Sequence, residues 1–422
     1  MRPRLSLALL AVPAVLLAAA GCGGGGDPMR IGIITDCADS PFAFSRPAEI
    51  ASAELPLIQR GARVPGSTQS NELDGASVGG RPVKLEIVCA ESLNPKAVLA
   101  QLRRLVDSRH VDAVVGPTHE PDTILARYAR RRKGIVFMLT SYDQPSTLRF
   151  ATPNMFRFEL DNAQLSAGLA GYAYHRLGWR DVTTVGEDDP PGWDGAAGFD
   201  AEFCSLGGHV RRVWAPGGAG HPKHWVRRAL SAADGVFLAP GFYGKAGFER
   251  RWARGHDLSR RLVLGWYAKP SRRLQGVVAV SSWSWAMTPA FHRFDARFWK
   301  KFPNVRDPEA IRLTYYDEVE PLLEALKRVH GNTSNGERPL QKALARLHYA
   351  SPEGRMRLDK RNQAIGPTYL GRIGGGTVHQ VAVIHGVDET FGGYFTRNRV
   401  PPGPHSPACV KGKPPPWARP TR

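Results

Sequence analysis

Short apolar strands and amphipathic helices alternate along this chain, and the alternation runs twice, which leaves few folds open to it. The first run starts with the strand Ile31-Gly32-Ile33-Ile34 and a helical pattern over 48–61. A stretch rich in Gly, Ser and Asn, 65–80, reads as a loop. A strand over 83–88 leads into Asn94-Pro95, a cap and first-turn proline, and then Leu99, Leu102, Leu105 and Val106 at helical spacing. A buried strand over 111–115 ends at Gly116-Pro117, and a helix over 122–132 and a strand over 135–139 complete the set. Parallel strands need a crossover between them, and helices supply it. Repeated units of this kind therefore predict a doubly wound parallel sheet.

The pattern then begins again. Asp161 can cap a helix carrying Leu165, Leu169, Tyr172 and Leu177, stopped by Gly178. Strands over 182–185, 210–213, 236–239 and 262–264 alternate with helices over 194–206, around 225–232 and over 245–253. Two such runs predict two α/β lobes, each with its own core, and 422 residues are enough for both. A long helical stretch over 308–329 and strand-like pieces over 377–384 follow. From Asn398 the chain is dense in Pro, Lys and Arg, and this tail, 398–422, is expected to be disordered apart from whatever Cys409 ties down.

The N-terminus indicates where the chain works. Arg2 and Arg4, an apolar run over 5–20, and Ala19, Ala20 and Gly21 before Cys22 have the build of a secretory signal over 1–21. The run is about 16 residues, short of the roughly 20 that span a bilayer as a helix. The Ala-Ala-Gly-Cys ending resembles the lipobox of bacterial lipoproteins, which implies that Cys22 is lipidated and becomes the mature N-terminus, with the glycine-rich 22–29 as its tether. The plainer alternative is an ordinary signal cleaved after Ala20, with Cys22 incidental. The formal net charge is +19, and the leader carries only Arg2 and Arg4 of it. Behind an export signal, with the Arg residues spread along the chain and no zinc-finger or RNA-binding spacing, nucleic acid is not expected as a partner. The basic surface suits an anionic membrane or wall, or consists simply of solvated faces.

Besides Cys22 there are four cysteines, Cys37, Cys89, Cys204 and Cys409. In an exported chain they suggest two disulfides, with three pairings possible. Cys37 and Cys89 each follow an apolar strand, and if those strands are neighbours in one parallel sheet their carboxyl ends lie within disulfide reach. That favours Cys37–Cys89 and leaves Cys204 with Cys409. No Cys-x-x-Cys pair occurs to support zinc or thioredoxin-type chemistry, and no cofactor is expected.

An ordered set of short segments carries a family resemblance. Gly80-Arg81-Pro82-Val83-Lys84-Leu85, Ser92-Leu93-Asn94-Pro95, Leu105-Val106-Asp107 and Val111-Asp112-Ala113-Val114-Val115-Gly116-Pro117 resemble the first lobe of type I periplasmic binding proteins, in particular the branched-chain amino acid group. Asn154-Met155-Phe156-Arg157 with Asp161-Asn162-Ala163-Gln164 resembles the crossing into the second lobe, and Leu313-Thr314-Tyr315-Tyr316-Asp317-Glu318-Val319 is similar to the helix on the return path. The resemblance spans roughly Arg30 to Gly393. It implies two doubly wound lobes joined by three crossings, with lobe one over 30–150, lobe two over 151–284, a return to lobe one over 285–357 and to lobe two over 358–397. It also implies a monomeric extracytoplasmic solute-binding protein that closes on a small ligand and presents it to an ABC permease in the membrane.

In open α/β sheets ligands bind beyond the carboxyl ends of the strands, so the loops that follow each strand should carry recognition. Phe42 and Phe44 follow the first strand, and Thr118, His119 and Glu120 follow Gly116-Pro117. Thr140, Ser141, Tyr142 and Asp143 follow Leu139 and match the family's Ser-Pro-x-Ala-Thr ligand loop in place but not in residues. The second lobe offers Trp193, Phe242, Tyr243, Trp266 and Tyr267. Aromatic and polar side chains recurring after strand ends favour a ligand site over lobe core or crossing contacts.

Departures from the family bear on the ligand. Where the resemblance implies an acid for an α-ammonium, after Leu264-Gly265, this chain has Trp266-Tyr267-Ala268-Lys269, and Pro191 replaces a tyrosine before Gly192. An unpaired buried ammonium is costly, so an amino acid is one candidate among several unless Asp143, Glu120 or Asp189 compensates. Otherwise the aromatic lining suits an aromatic, amide, aliphatic or cationic ligand.

An enzyme reading is weaker. Gly75-Ala76-Ser77-Val78-Gly79 matches a nucleophile elbow as a string, but a polar loop precedes it and a strand follows where a helix is needed. His119, Ser141 and Asp143 could meet as a triad, yet a binding cleft is polar in any case. Gly374-Gly375-Gly376 lacks the Lys-Ser or Lys-Thr of a phosphate loop, and Asp188, Asp189 and Asp194 do not keep EF-hand spacing. Three readings stand in order: transport receptor, ligand-sensing module for a membrane partner, and hydrolase.

Overall fold

The computed structural model describes residues 27–63, 73, 75–118, 123–215, 233–239, 257–265, 272–281, 288–306, 311–399 and 408–418. The helices expected around 225–232 and over 245–253 lie outside them, as does Cys22.

Lobe one is built on a six-stranded sheet of β1 (Met29–Asp36), β2 (Ser77–Val78), β3 (Arg81–Ala90), β4 (Ala113–Val115), β5 (Val136–Met138) and β6 (Met155–Phe156), in the order β2-β3-β1-β4-β5-β6. All pairings are parallel except β2 with β3. Apart from Arg30, β1 is buried end to end, as a parallel strand covered on both faces must be. Gly32 is required within it, because a Cβ there would stand 2.8 Å from Leu105 Cδ1, on the segment that continues the helix Pro95–Arg103. Asn94 caps that helix as expected, its side chain accepting from the N–H groups of Lys96 and Ala97. Ser77 of the elbow-like string lies on β2, a turn before β3, with its hydroxyl donating to Arg81 O, so no strand-to-helix turn exposes it.

Lobe two carries β7 (Asp181–Glu187), β8 (His209–Ala215), β9 (Gly235–Leu238), β10 (Leu262–Leu264), β11 (Val278–Ser281), β12 (His348–Ser351), β13 (Gly354–Leu358), β14 (Ala364–Gly374) and β15 (Thr377–Val387). The order is β12-β13-β14-β11-β10-β9-β7-β8, and β15 also pairs with β14, along Gly366–Gly374. β7 to β11 run parallel, but β14 is antiparallel to β11, and β12, β13 and β15 continue antiparallel. The second sheet is thus parallel at its centre and mixed at one end. The apolar runs announced the parallel part, whereas strands such as Gly-Arg-Met-Arg-Leu, half solvated, carry too few apolar residues to do so.

The later helices return to lobe one. Phe291, Phe294 and Phe298, spaced along one face of the helix Pro289–Lys301, join Leu313, Tyr315, Leu322 and Leu326 of the helix Ile311–Arg328 in the same core as Ile31, Ile33 and Val115. Thr288 caps the first of these helices, accepting from Phe291 N–H. Tyr349, Met356 and Leu358 of β12 and β13 also enter that core, so the mixed end of the lobe-two sheet reaches across to lobe one.

Two expectations change. The single helix from Asp161 to Leu177 is broken. Asp161 and Gln164 exchange a reciprocal pair of backbone–side-chain hydrogen bonds at a short turn, Gln164–Ser166, and the helix Leu169–Arg176 starts afresh after Gly168. Gly168, with φ 87°, makes the break, a conformation glycine takes readily, and a Cβ there would strike Ile384 of β15. The tail is not disordered over 408–418. Tyr394 bonds both Val410 N–H and O, Trp417 Nε1 donates to Glu202 Oε2 at 3.1 Å, and the Trp417 ring lies 5.4 Å from that of Phe391. Both disulfides form as expected, Cys37–Cys89 and Cys204–Cys409, the second fastening this segment to the helix Pro190–Ser205.

Candidate functional site

The carboxyl ends of β1, β3, β4 and β5 bring the lobe-one loops to one edge. Asp36, at the end of β1, accepts from Ser40 Oγ at 2.7 Å and Ser92 Oγ at 2.6 Å, so with Cys37–Cys89 it ties together the loops after β1 and β3. On this fixed base Phe42 and Phe44 meet edge to face at 6.3 Å, Phe42 half-buried and Phe44 43 % exposed. Thr118 is buried at the end of β4. Thr140, also buried, precedes Ser141, whose hydroxyl donates to Asp143 Oδ1 at 2.7 Å. Asp143 in turn caps the short helix Gln144–Leu148 through Ser146 N–H and Oγ. The Ser141 hydroxyl is therefore engaged by a carboxylate.

Tyr142 takes a different direction. Its hydroxyl bonds Thr314 Oγ1 of the return helix at 2.6 Å, beside Glu159, and the residue as a whole is half-buried. Burial, reinforced by the Glu159 charge, pushes this phenol well above its ordinary range, so it acts as a neutral hydrogen-bonding group.

From lobe two, the loop after β7 carries Asp188, Asp189 and Trp193. Trp193 Nε1 donates to Asp188 Oδ1 at 3.0 Å, and its ring is half-exposed. Asp189 caps the helix Pro190–Ser205 through Gly192 N–H, and burial raises its pKa. His119, Glu120, Phe242, Tyr243, Trp266 and Tyr267 lie outside the described residues.

The two lobes meet on a network that sequence reasoning missed. Gln144 N–H donates across to Asp194 Oδ2 of lobe two at 3.1 Å, Gln144 Nε2 to Glu389 O at 2.7 Å, and Thr147 Oγ1 to Glu389 Oε2 at 2.8 Å. Behind them Arg157, fully buried on the crossing that follows β6, donates to Ser141 O, Asp143 O, Thr147 Oγ1 and Gln363 Oε1 at 2.6–2.9 Å. Carboxylates crowd this junction around Arg157 and Arg361, the latter paired with Glu389 at 3.0 Å. Burial lifts Asp161 to about 7 against the pull of Arg157, and lifts Asp194 well above its usual range with the neighbouring Asp143 charge adding to it. Glu389 is pushed to about 8 by burial and by Asp359. The available signal was an arginine set between Phe156 and Phe158 within the crossing motif, a poor place for a solvated cation.

These features define a two-lobed binding fold whose strand-end loops converge and whose crossings are cross-linked by polar bonds. A family model for periplasmic binding protein matches residues 28–377, and the chain belongs to that family. Its fold is that of an ABC transporter substrate-binding protein from Sphaerobacter thermophilus, with TM-score 0.72, 22% identity, and 86% of this chain and 99% of that one covered. A solute-binding protein of an R. palustris ABC transporter, solved in complex with benzoate, has TM-score 0.67 at 19% identity, covering 86% and 97%. A leucine-binding protein from Thermotoga maritima has TM-score 0.65 at 18% identity, covering 85% and 99%. No match was found among curated protein sequences. Among the described residues no helix is long and apolar enough to cross a membrane.

Proposed function

We propose that this chain is an extracytoplasmic receptor that captures a small solute between its lobes and delivers it to an ABC permease, held at the membrane through lipid on Cys22. The observation that carries the reading is the convergence of the loops after β5 and β7, joined by the Gln144–Asp194 bond, because closure over a ligand needs recognition loops from both lobes at one place. Phe42, Phe44, Thr118, Ser141 and Trp193 are the described residues assigned to the ligand, with His119, Glu120, Phe242, Tyr243, Trp266 and Tyr267 completing the set. Tyr142 is assigned to the ligand through its ring, since its hydroxyl serves Thr314.

Asp143 after β5 and Asp188 after β7 stand in the loops assigned to the solute, each accepting from the chain's own donors, and aromatic side chains accompany them. The proposed solute is an amino acid, an amide or a related compound. Mass spectrometry of the protein purified from its own envelope should reveal such a solute. Trp193→Ala should then weaken it by about tenfold, equivalent to roughly 1.4 kcal/mol, without altering the melting temperature. Normal affinity in that variant, or consumption of the solute, would overturn the reading.

A further inference from the structure

The chain enters lobe one at the amino edge of its sheet, opposite the strand-end loops. Asp27 leads into β1, and Arg81 Nε donates to Asp27 O at 2.7 Å. Other turns close on the same edge. Arg81 also donates to Gly331 O, just after the helix Ile311–Arg328, at 3.4 Å, and Gly331 packs against Gly79. Asp112, just before β4, accepts from Arg30 N–H at 2.7 Å. Lys133 O, just before β5, accepts from Gln341 Nε2 at 3.0 Å, with Gly134 lying against Gly336. The turns before β1, β4 and β5 and the turn after Arg328 therefore make one continuous face.

That face is cationic. Arg130, Arg131 and Lys133 follow the helix Thr123–Ala129, Lys327 and Arg328 end the helix Ile311–Arg328, and Arg338 stands two residues after Gly336; all are exposed. The acids among them are already engaged. Asp107 pairs with Arg132 at 2.9 Å, Asp112 holds Arg30 N–H and lies 3.9 Å from Arg81 Nη2, and Glu337 is buried. A cation in the last turn of a helix offsets the helix dipole, which accounts for Lys327 and Arg328 but not for Lys133 or Arg338. Like charges gathered on one face repel one another, and an extended anionic surface relieves that repulsion.

We propose that this face of lobe one docks on an anionic phospholipid bilayer, its Arg and Lys side chains meeting headgroup phosphates and the strand-end loops turned away from the membrane. The pose rests on the lipid proposed for Cys22. Only Gly23 to Gly26 separate that cysteine from Asp27, and five residues reach at most about 18 Å, so an anchored chain keeps the surface around Asp27 beside the headgroups. Attraction of Lys and Arg to an anionic membrane falls off within a Debye length, about 8–10 Å, so it acts on this face before any other. Docked this way, the cleft opens to the solution, and contacts made of screened charges are readily given up when the receptor turns to its permease.

Vesicle flotation of the Cys22→Ser chain tests the face apart from the lipid. The protein should float with phosphatidylcholine vesicles holding about 30 % phosphatidylglycerol in about 0.05 M salt, and neither with phosphatidylcholine alone nor in about 0.5 M salt. Arg130→Glu, Arg131→Glu and Lys133→Glu together should weaken that binding by at least about tenfold with an unchanged melting temperature. Lys327→Glu with Arg338→Glu, on the adjoining turn, should weaken it in the same direction. Arg176→Glu, Arg272→Glu and Arg273→Glu, the same charge change at exposed positions of lobe two, should leave it within about twofold. No flotation with the anionic vesicles, equal flotation with neutral ones, or an equal loss in the lobe-two variant would each overturn the proposal. The mass of the N-terminal peptide of the parent protein reads the Cys22 lipid separately, so an unlipidated cysteine would remove the anchor while flotation still decides the face.

Discussion

Asp194 of lobe two accepts a hydrogen bond from Gln144 N–H of lobe one, so the lobes are joined by a bond that belongs to the chain itself. Gln144 and Thr147 make further bonds to Glu389, which clasps the short helix Gln144–Leu148 from the lobe-two side. The open–closed equilibrium is thereby biased by the protein before a solute adds its own differential affinity.

That bond makes closure sensitive to pH. Asp194 faces Asp143 and Gln144 N–H from lobe one, and Asp161 and Arg157 from the crossing, and burial holds its pKa well above the ordinary value in this arrangement. Opening would return it to water and lower that pKa. The contribution of Asp194 to closure is therefore complete below the ordinary carboxylate pKa and is lost as pH rises through the closed-state value. Small-angle scattering should show the protein more compact at acidic than at alkaline pH. Asp194→Asn, which can still accept from Gln144, should remove the pH response. An unchanged response in that variant would place the titrating group elsewhere.

Arg157 should be the costliest single side chain at the crossing. Its removal takes a donor from the Ser141 and Asp143 carbonyls, Thr147 Oγ1 and Gln363 Oε1, and takes the cation from beside Asp161. Arg157→Gln is expected to lower unfolding stability by about 3–5 kcal/mol in urea titration. Arg157→Lys should recover less than half, because an ammonium cannot aim at four fixed acceptors. Near-neutral variants would mean that the network is solvated and not structural.

Glu54 should mark a stability loss at alkaline pH. It lies in the lobe-one core with neither carboxylate oxygen hydrogen-bonded among the described residues, and burial raises its pKa to about 8 against the opposing charge of Lys301. The fold accepts the neutral acid, so its contribution is intact below about pH 4.5 and falls as pH rises through about 8. Glu54→Gln should match the parent near about pH 5 and exceed it by about 1–3 kcal/mol near about pH 9. Denaturant midpoints at the two pH values decide it.

Much of the architecture was legible because parallel strands buried on both faces read as apolar runs, as β4, β9 and the Ile31–Ile34 stretch of β1 do. Gly168 was not legible as a break, since the side chain that leaves no room for a Cβ there, Ile384, lies over two hundred residues later. At the site, Asp143 before Gln144-Pro145 could be read as a cap after a strand, and Cys37 with Cys89 as a staple. Arg157 and Asp194 could not, because their roles depend on partners that only the crossing brings together: Gln363, Thr147 and Gln144.

The stapled segment 408–418 gives the molecule a built-in ruler. Asp27 leads directly into β1 and rides with lobe one, whereas the exposed Lys411, two residues after the Cys204–Cys409 bridge, rides with lobe two. Two dyes placed at these positions would lie on opposite jaws, away from the strand-end loops. Their separation would report each bite of the cleft, turning the protein into an optical gauge of whatever solute it meets.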